Sequence, residues 1–254
     1  MLFFLNIIFP FIIAVAYFFQ LKMSFYFFDQ WYILFPIVLA LDAIYFLILG
    51  IKSKNKRVIS LFFYSLILLS VGFIFTLIIT NGYLINTFTI LWPIVTFIFL
   101  DSVCHEIYQT NRADFLSLKN VIPYVNLLII FLLTAVLLYS NIFLTFPDWA
   151  ILIIFFICSV VAIFSLFGIN KLEFKRSLAY SAVLSLIIME VLGSLLLLPT
   201  GFYVLAIIET VVYYCFISLF VLSLENKLTK KSIFKYGFLG AVILLLTLAT
   251  SQWF

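Results

Sequence analysis

Nine apolar runs of near membrane-spanning length, separated by short polar stretches, organise this chain, at roughly residues 2–20, 31–51, 58–80, 84–103, 121–146, 149–168, 177–198, 202–223 and 234–254. Continuous runs near twenty residues predict transmembrane helices, whereas a barrel would alternate in segments of about ten. The expected fold class is therefore all-α, a polytopic transmembrane helical bundle of about nine spans with a range of about seven to nine, the first and last runs being the weakest. Asn81-Gly82, Phe146-Pro147-Asp148 and Pro199-Thr200-Gly201 read as the turns of tight antiparallel hairpins. No loop is long enough to hold a soluble domain, so residues 1–254 form a single integral-membrane domain. A recurring pattern, Ile7-Ile8-Phe9-Pro10, Ile33-Leu34-Phe35-Pro36, Ile90-Leu91-Trp92-Pro93 and more loosely Val121-Ile122-Pro123, raises two divergent halves, about 1–120 and 121–254, against chance recurrence in a chain rich in Phe, Ile and Leu.

Composition agrees with the pattern: 67% hydrophobic and 9% charged, against about 45–50% and 25% in soluble domains. Lipid is already apolar, so the helices must associate through close packing of small residues and interhelical hydrogen bonds. Ser177, Ser181 and Ser185, spaced i, i+4, i+8, offer one such face. The net charge of +4 matters through its placement: thirteen of the fourteen basic residues fall in alternate loops, Lys52 to Arg57, Arg112 and Lys119, Lys171 to Arg176, and Lys227 to Lys235. Lys22 alone lies on the other side. The positive-inside rule then puts the N-terminus and those four loops in the cytoplasm, in a cell membrane. Met1 to Gln20 lacks a basic n-region and a clear small-residue cleavage site, which predicts a retained first helix. The lysine-rich loops fit membrane lipid headgroups, and no basic-aromatic constellation suggests nucleic acid. Cys104, Cys158 and Cys215 are widely spaced and odd in number, which favours apolar packing over a disulfide framework or thiolate metal site.

Of ten acids, Asp29, Glu106, Asp114, Asp148, Glu173 and Glu225 fall in loops or at interfaces. Asp42, Asp101, Glu190 and Glu209 fall inside runs, with Asp101 near enough to a cytoplasmic end to be wetted. An ionisable group in hydrocarbon is a functional-site candidate by default. Glu190 and Glu209 flank the Pro199-Thr200 turn nearly symmetrically, so antiparallel helices would carry both about 14 Å below it, able to share a site. Asp42 lies at a similar depth, roughly 16 Å into the second run. Low dielectric favours the neutral carboxyl, so such an acid can serve as a proton donor. The structural alternative is a local hydrogen bond at helical spacing, Glu190 to Ser194, Glu209 to Tyr213, or Asp42 to Tyr45.

His105-Glu106-Ile107-Tyr108-Gln109 begins like a HExxH zinc helix, but Gln109 replaces the second ligand and His105 is the single histidine, so no metal is expected. Asp101 and His105, at i, i+4, make either an interfacial ion pair or a cytoplasmic-side proton relay. Walker A, GxGxxG, GxSxG and GxGD motifs are all absent, and no cofactor is expected.

Two stretches resemble the membrane-embedded lycopene cyclases of the carotenoid pathway. Lys22-Met23-Ser24-Phe25-Tyr26 through Trp31-Tyr32-Ile33-Leu34-Phe35-Pro36-Ile37 looks like that family's first loop and second helix. Ile207-Ile208-Glu209-Thr210-Val211-Val212-Tyr213-Tyr214, followed by Glu225, is similar to its helix that opens with paired acids. The family's Pro-x-Glu-Glu would fall at Pro93-Ile94-Val95-Thr96, where both acids are missing; Glu209 alone remains of the second pair, and Leu49-Gly50 stand near its Trp-Asp. The resemblance implies an isoprenoid substrate.

The first functional expectation is an intramembrane isomerase or cyclase that admits an apolar, lipid-like substrate from the bilayer. Glu209 would protonate a carbon-carbon double bond, Glu190 would hold the proton or steady the cation, Asp42 would contribute third, and Tyr203, Tyr213 and Tyr214 would present π-faces to positive charge. The alternatives are a proton- or cation-coupled transporter or channel, and a non-catalytic membrane subunit pairing its acids with a membrane-protein partner, a homo-oligomer included.

Overall fold

A chain this apolar must satisfy its backbone donors and acceptors internally, and the helix does so within each segment. The computed structural model describes residues 7–26, 31–53, 57–108, 117–169 and 172–250. Among them are nine helices: α1 (Phe9–Tyr26), α2 (Trp31–Ser53), α3 (Arg57–Ile78), α4 (Gly82–Tyr108), α5 (Leu118–Leu144), α6 (Asp148–Ile169), α7 (Phe174–Leu195), α8 (Phe202–Leu224) and α9 (Lys230–Thr250). Eight of these, α2 to α9, are long and apolar enough to cross a membrane, and the apolar stretch of α1, Phe9–Ser24, is shorter. The protein is an all-helical bundle of the expected kind. Lys54, Lys56, Arg112, Lys171, Asp29, Asp114, Trp253 and Phe254, used in reading the loops and ends, lie outside the described residues.

Local chemistry fixes the helix ends. The Asn81 side-chain oxygen accepts from the Tyr83 and Leu84 amides at 3.0 and 3.4 Å and caps α4. Asn141 reaches across the α5–α6 turn, donating to the Phe146 carbonyl at 3.0 Å and the Asp148 carboxylate at 2.6 Å. The α8 terminus closes with Asn226 at φ 56 and paired bonds, Lys227 N to Leu222 O at 2.9 Å and Asn226 N to Ser223 O at 3.1 Å. The α7–α8 connection takes residues 196–201, which leaves Glu190 and Glu209 only about 7 and 10 Å from their own helix ends, shallower than the 14 Å the sequence predicts.

Two compact units divide the chain: residues 1–129 with 161–174, and residues 130–160 with 175–254. The division runs through α5 and α6. In the first unit α1 packs against α2, α3 and α4, and α2, α3 and α4 pack on one another. Its centre holds Tyr17, Tyr45, Tyr64, Phe99, Leu68 and Leu69, all inaccessible to solvent. Polar ties cross between helices of this unit: the Tyr17 hydroxyl of α1 donates to the Leu69 carbonyl of α3, and Asn126 Nδ2 of α5 donates to the Ala162 carbonyl of α6 at 3.1 Å. In the second unit α8 and α9 approach closely where Gly240 meets Cys215, whose thiol donates to the Tyr236 carbonyl at 3.4 Å. Ser177, Ser181 and Ser185 are all buried along one face of α7.

Lys22, which the hydropathy pattern puts in an outer loop, belongs to α1 and is exposed, its ammonium 5.4 Å from the Phe18 ring centre. Its flexible stem lets a charged head reach water from within a helix. Asp101 also differs from expectation: it is buried, and α4 continues about one and a half turns beyond the apolar run to Tyr108.

Candidate functional site

Position 209 faces inward because α8 buries one stripe, Leu205, Ala206, Ile208, Glu209, Tyr213 and Ile217, which follows the helical repeat of 3.6. Glu209 is fully buried, and neither carboxyl oxygen has a hydrogen-bond partner among the described residues. The local bond from Glu209 to Tyr213 is therefore not made, although Tyr213 is buried on the same stripe. A buried polar group without a partner costs about 1–3 kcal/mol. Such a cost is tolerated where a group must stay available to something else.

Glu190 occupies different surroundings. The buried residues of α7 include Ser177, Ser181, Leu184, Ser185, Ile188, Leu192 and Leu195, and Glu190 lies on the exposed side. Ser194 Oγ bonds the Glu190 main-chain oxygen at 3.0 Å, so the carboxyl is not the acceptor of the expected local bond. Of the candidate tyrosines, Tyr213 is buried, Tyr214 is half-buried with its ring 5.7 Å from that of Tyr236, and Tyr203 is exposed at the start of α8 beside Phe202. Tyr139 and Phe143 of α5 complete an aromatic group around Phe202, at 5.6 and 6.3 Å between ring centres.

The first unit has its own buried acid. Asp42 is fully buried in the α2 stripe of Val38, Asp42, Tyr45, Phe46 and Leu49. Ser65 of α3 donates to Asp42 Oδ1 at 2.9 Å, while Oδ2 has no partner. Tyr45 does not bond Asp42; its hydroxyl donates to the Leu100 carbonyl of α4 at 2.9 Å. Asp101 Oδ1 and His105 Nε2 stand 3.4 Å apart on α4, the histidine partly exposed.

Ser65 was missing from the sequence-based candidates, yet a signal for it exists. Asp42 precedes the α2–α3 connection by about three turns and Ser65 follows it by about two, so the hairpin-depth argument used for the glutamates also brings these two together. Gln20, buried with neither amide atom bonded, was missed as well; nothing in its apolar neighbourhood marks it. No group of three or more His, Cys, Asp or Glu side chains placed to hold a metal occurs among the described residues. No family model, curated protein or solved structure matches this chain.

Proposed function

We propose that this integral membrane protein acts on an apolar, lipid-like substrate drawn from the bilayer, and that Glu209 is its acid. The observation that carries the reading is a fully buried carboxyl with both oxygens free of hydrogen bonds among the described residues. An isolated ionised carboxylate is costly in apolar surroundings, and an acid held this way can give its proton to a bound substrate. Protonation of a carbon-carbon double bond is chemistry that such a group can start without metal or nucleotide. Tyr213, one turn further along the same buried stripe, offers an aromatic face to a developing cation. The resemblance to membrane-embedded lycopene cyclases favours an isoprenoid as the substrate. Glu190, on the exposed side of α7, is the weaker candidate for a direct part.

The test is a chromatographed pigment extract from lycopene-producing cells carrying the wild-type protein or Glu209→Gln. A new isomerised or cyclised product that disappears in the variant supports the reading. Unchanged lycopene, with the protein present in the membrane, removes activity on that substrate. Proton-coupled transport is the second reading, favoured by the buried Asp42 and the Asp101–His105 pair of the first unit.

A further inference from the structure

We propose that Asp42 is a proton-loading site, reached from the end of the first unit that carries His105 by way of Asp101 and Tyr45. Three observations support the route. Asp42 has one oxygen fixed by Ser65 and a second with no partner, inside a fully buried setting, so the site has an unused position for a proton. Tyr45, one turn along the same face of α2, sets its hydroxyl against α4 at the Leu100 carbonyl, 2.9 Å away and one residue before Asp101. Asp101 and His105 then continue along α4, and exposure rises from Asp42 to His105. Measured along their own helices, Asp42, Tyr45, Asp101 and His105 lie roughly 16, 12, 10 and 4 Å from the helix ends at that side.

The surroundings suit a proton better than a cation. From α3 Asp42 meets Ser65; on α1 the buried Tyr17 hydroxyl is committed to the Leu69 carbonyl; toward α4, Tyr45 bonds the Leu100 carbonyl, next in sequence to Asp101. No ion pair to Asp42 occurs among the described residues, and no cluster of three metal-ligating side chains is present among them. A single carboxyl and a single hydroxyl leave a metal ion far short of its usual six or so oxygens, whereas a proton needs one.

Transfer proceeds without net change at the intervening groups. His105 takes a proton from water and passes one to Asp101; Tyr45 gives its hydroxyl proton to Asp42 and is reloaded from Asp101. In the resting arrangement the Tyr45 proton points to Leu100 O, so turning away from that carbonyl is the slow step. The inference requires no activity of Glu209.

The test is pH-jump infrared spectroscopy of the purified full-length protein in lipid, following the protonated-carboxyl carbonyl band. Wild type shows a band that Asp42→Asn removes and that Ser65→Ala, which deletes the hydrogen bond, shifts. Tyr45→Phe and His105→Gln slow its appearance after the jump by roughly tenfold or more. His105 lies at a partly exposed helix end, so its variant reports even where Tyr45→Phe does not fold. Glu209→Gln leaves band and rate unchanged, which separates this result from the fate of the lipid-acting reading. A spectrum in which neither Asp42→Asn nor Ser65→Ala alters any carboxyl band overturns the site. An unchanged rate in either folded relay variant overturns the route.

Discussion

The indole nitrogen of Trp92 in α4 occupies the space that a Cβ on residue 72 of α3 would need. Only glycine lets the two helices approach at that point. The indole is also held from its own helix, stacked on Phe88 with ring centres 5.3 Å apart, one residue before the buried Pro93 that removes a helical amide from α4. Gly72→Ala must push a buried, sandwiched ring aside, and overpacking of this kind costs about 1–3 kcal/mol. Thermal unfolding in detergent should show the loss, with partial recovery when Trp92→Phe is added. A Gly72→Ala protein as stable as wild type would mean that α4 yields easily there.

Ser65 and Asp42 form a buried pair across α2 and α3, and among the described residues their bond is the one that the carboxyl makes to a side chain. Ser65→Ala leaves the acid without a hydrogen-bond partner among the described residues, at a cost of about 1–3 kcal/mol. With Asp42→Leu already in place, the same substitution should cost much less. The difference is the coupling energy of the pair, and a double-mutant cycle on melting temperatures measures it. Additive effects would show that the hydroxyl contributes only packing.

Much of this was legible in the amino-acid order. Helix number and the Asn81-Gly82 turn follow from apolar run length and turn chemistry, both of which are local. Azimuth and helix continuation were harder. Hydropathy ends the fourth run near residue 103, but Asp101 and His105 answer each other across one turn and the helix runs on to Tyr108, burying the aspartate. Depth alone pairs Glu190 with Glu209. Yet the stripe of Ser177, Ser181 and Ser185 already marks the inward face of α7, and at about 100° per residue Glu190 falls roughly opposite it. Combining the two arguments would have separated the glutamates. The proximity of Tyr45 to Leu100 and of Ser65 to Asp42 depends on which helices become neighbours, which a single pattern of hydropathy does not encode.

Glu209 offers a clean separation of stability from function. Replacing a buried, unbonded carboxyl with an apolar side chain of similar size removes a desolvation penalty, so Glu209→Leu should melt no lower than wild type and up to about 3 kcal/mol more stably. Functional sites commonly carry such a stability deficit. A marked fall in melting temperature would instead assign Glu209 a structural partner, contributed by another copy or another protein, and would count against a proton-donating role.

Orientation in the membrane remains to be read from charge, and it gives a sharp experiment. Lys227, Lys230, Lys231 and Lys235 cluster around the α8–α9 connection, while Tyr83 stands exposed at the start of α4, beyond the next helix end from the Arg57 side. Translocating a basic cluster is disfavoured, so the expected arrangement has the lysines in the cytoplasm and Tyr83 outside. In a background with Cys104, Cys158 and Cys215 replaced by alanine, Tyr83→Cys in intact cells should react with an impermeant thiol reagent, and Lys230→Cys should react only after the membrane is opened. Helix parity makes the two positions a joint test: α4 to α8 are five helices, an odd number, so the start of α4 and the end of α8 must lie on opposite faces if each crosses once. Labelling of both from the same side would show that at least one of these helices does not cross, and labelling in the reverse sense would overturn the orientation while leaving the bundle intact.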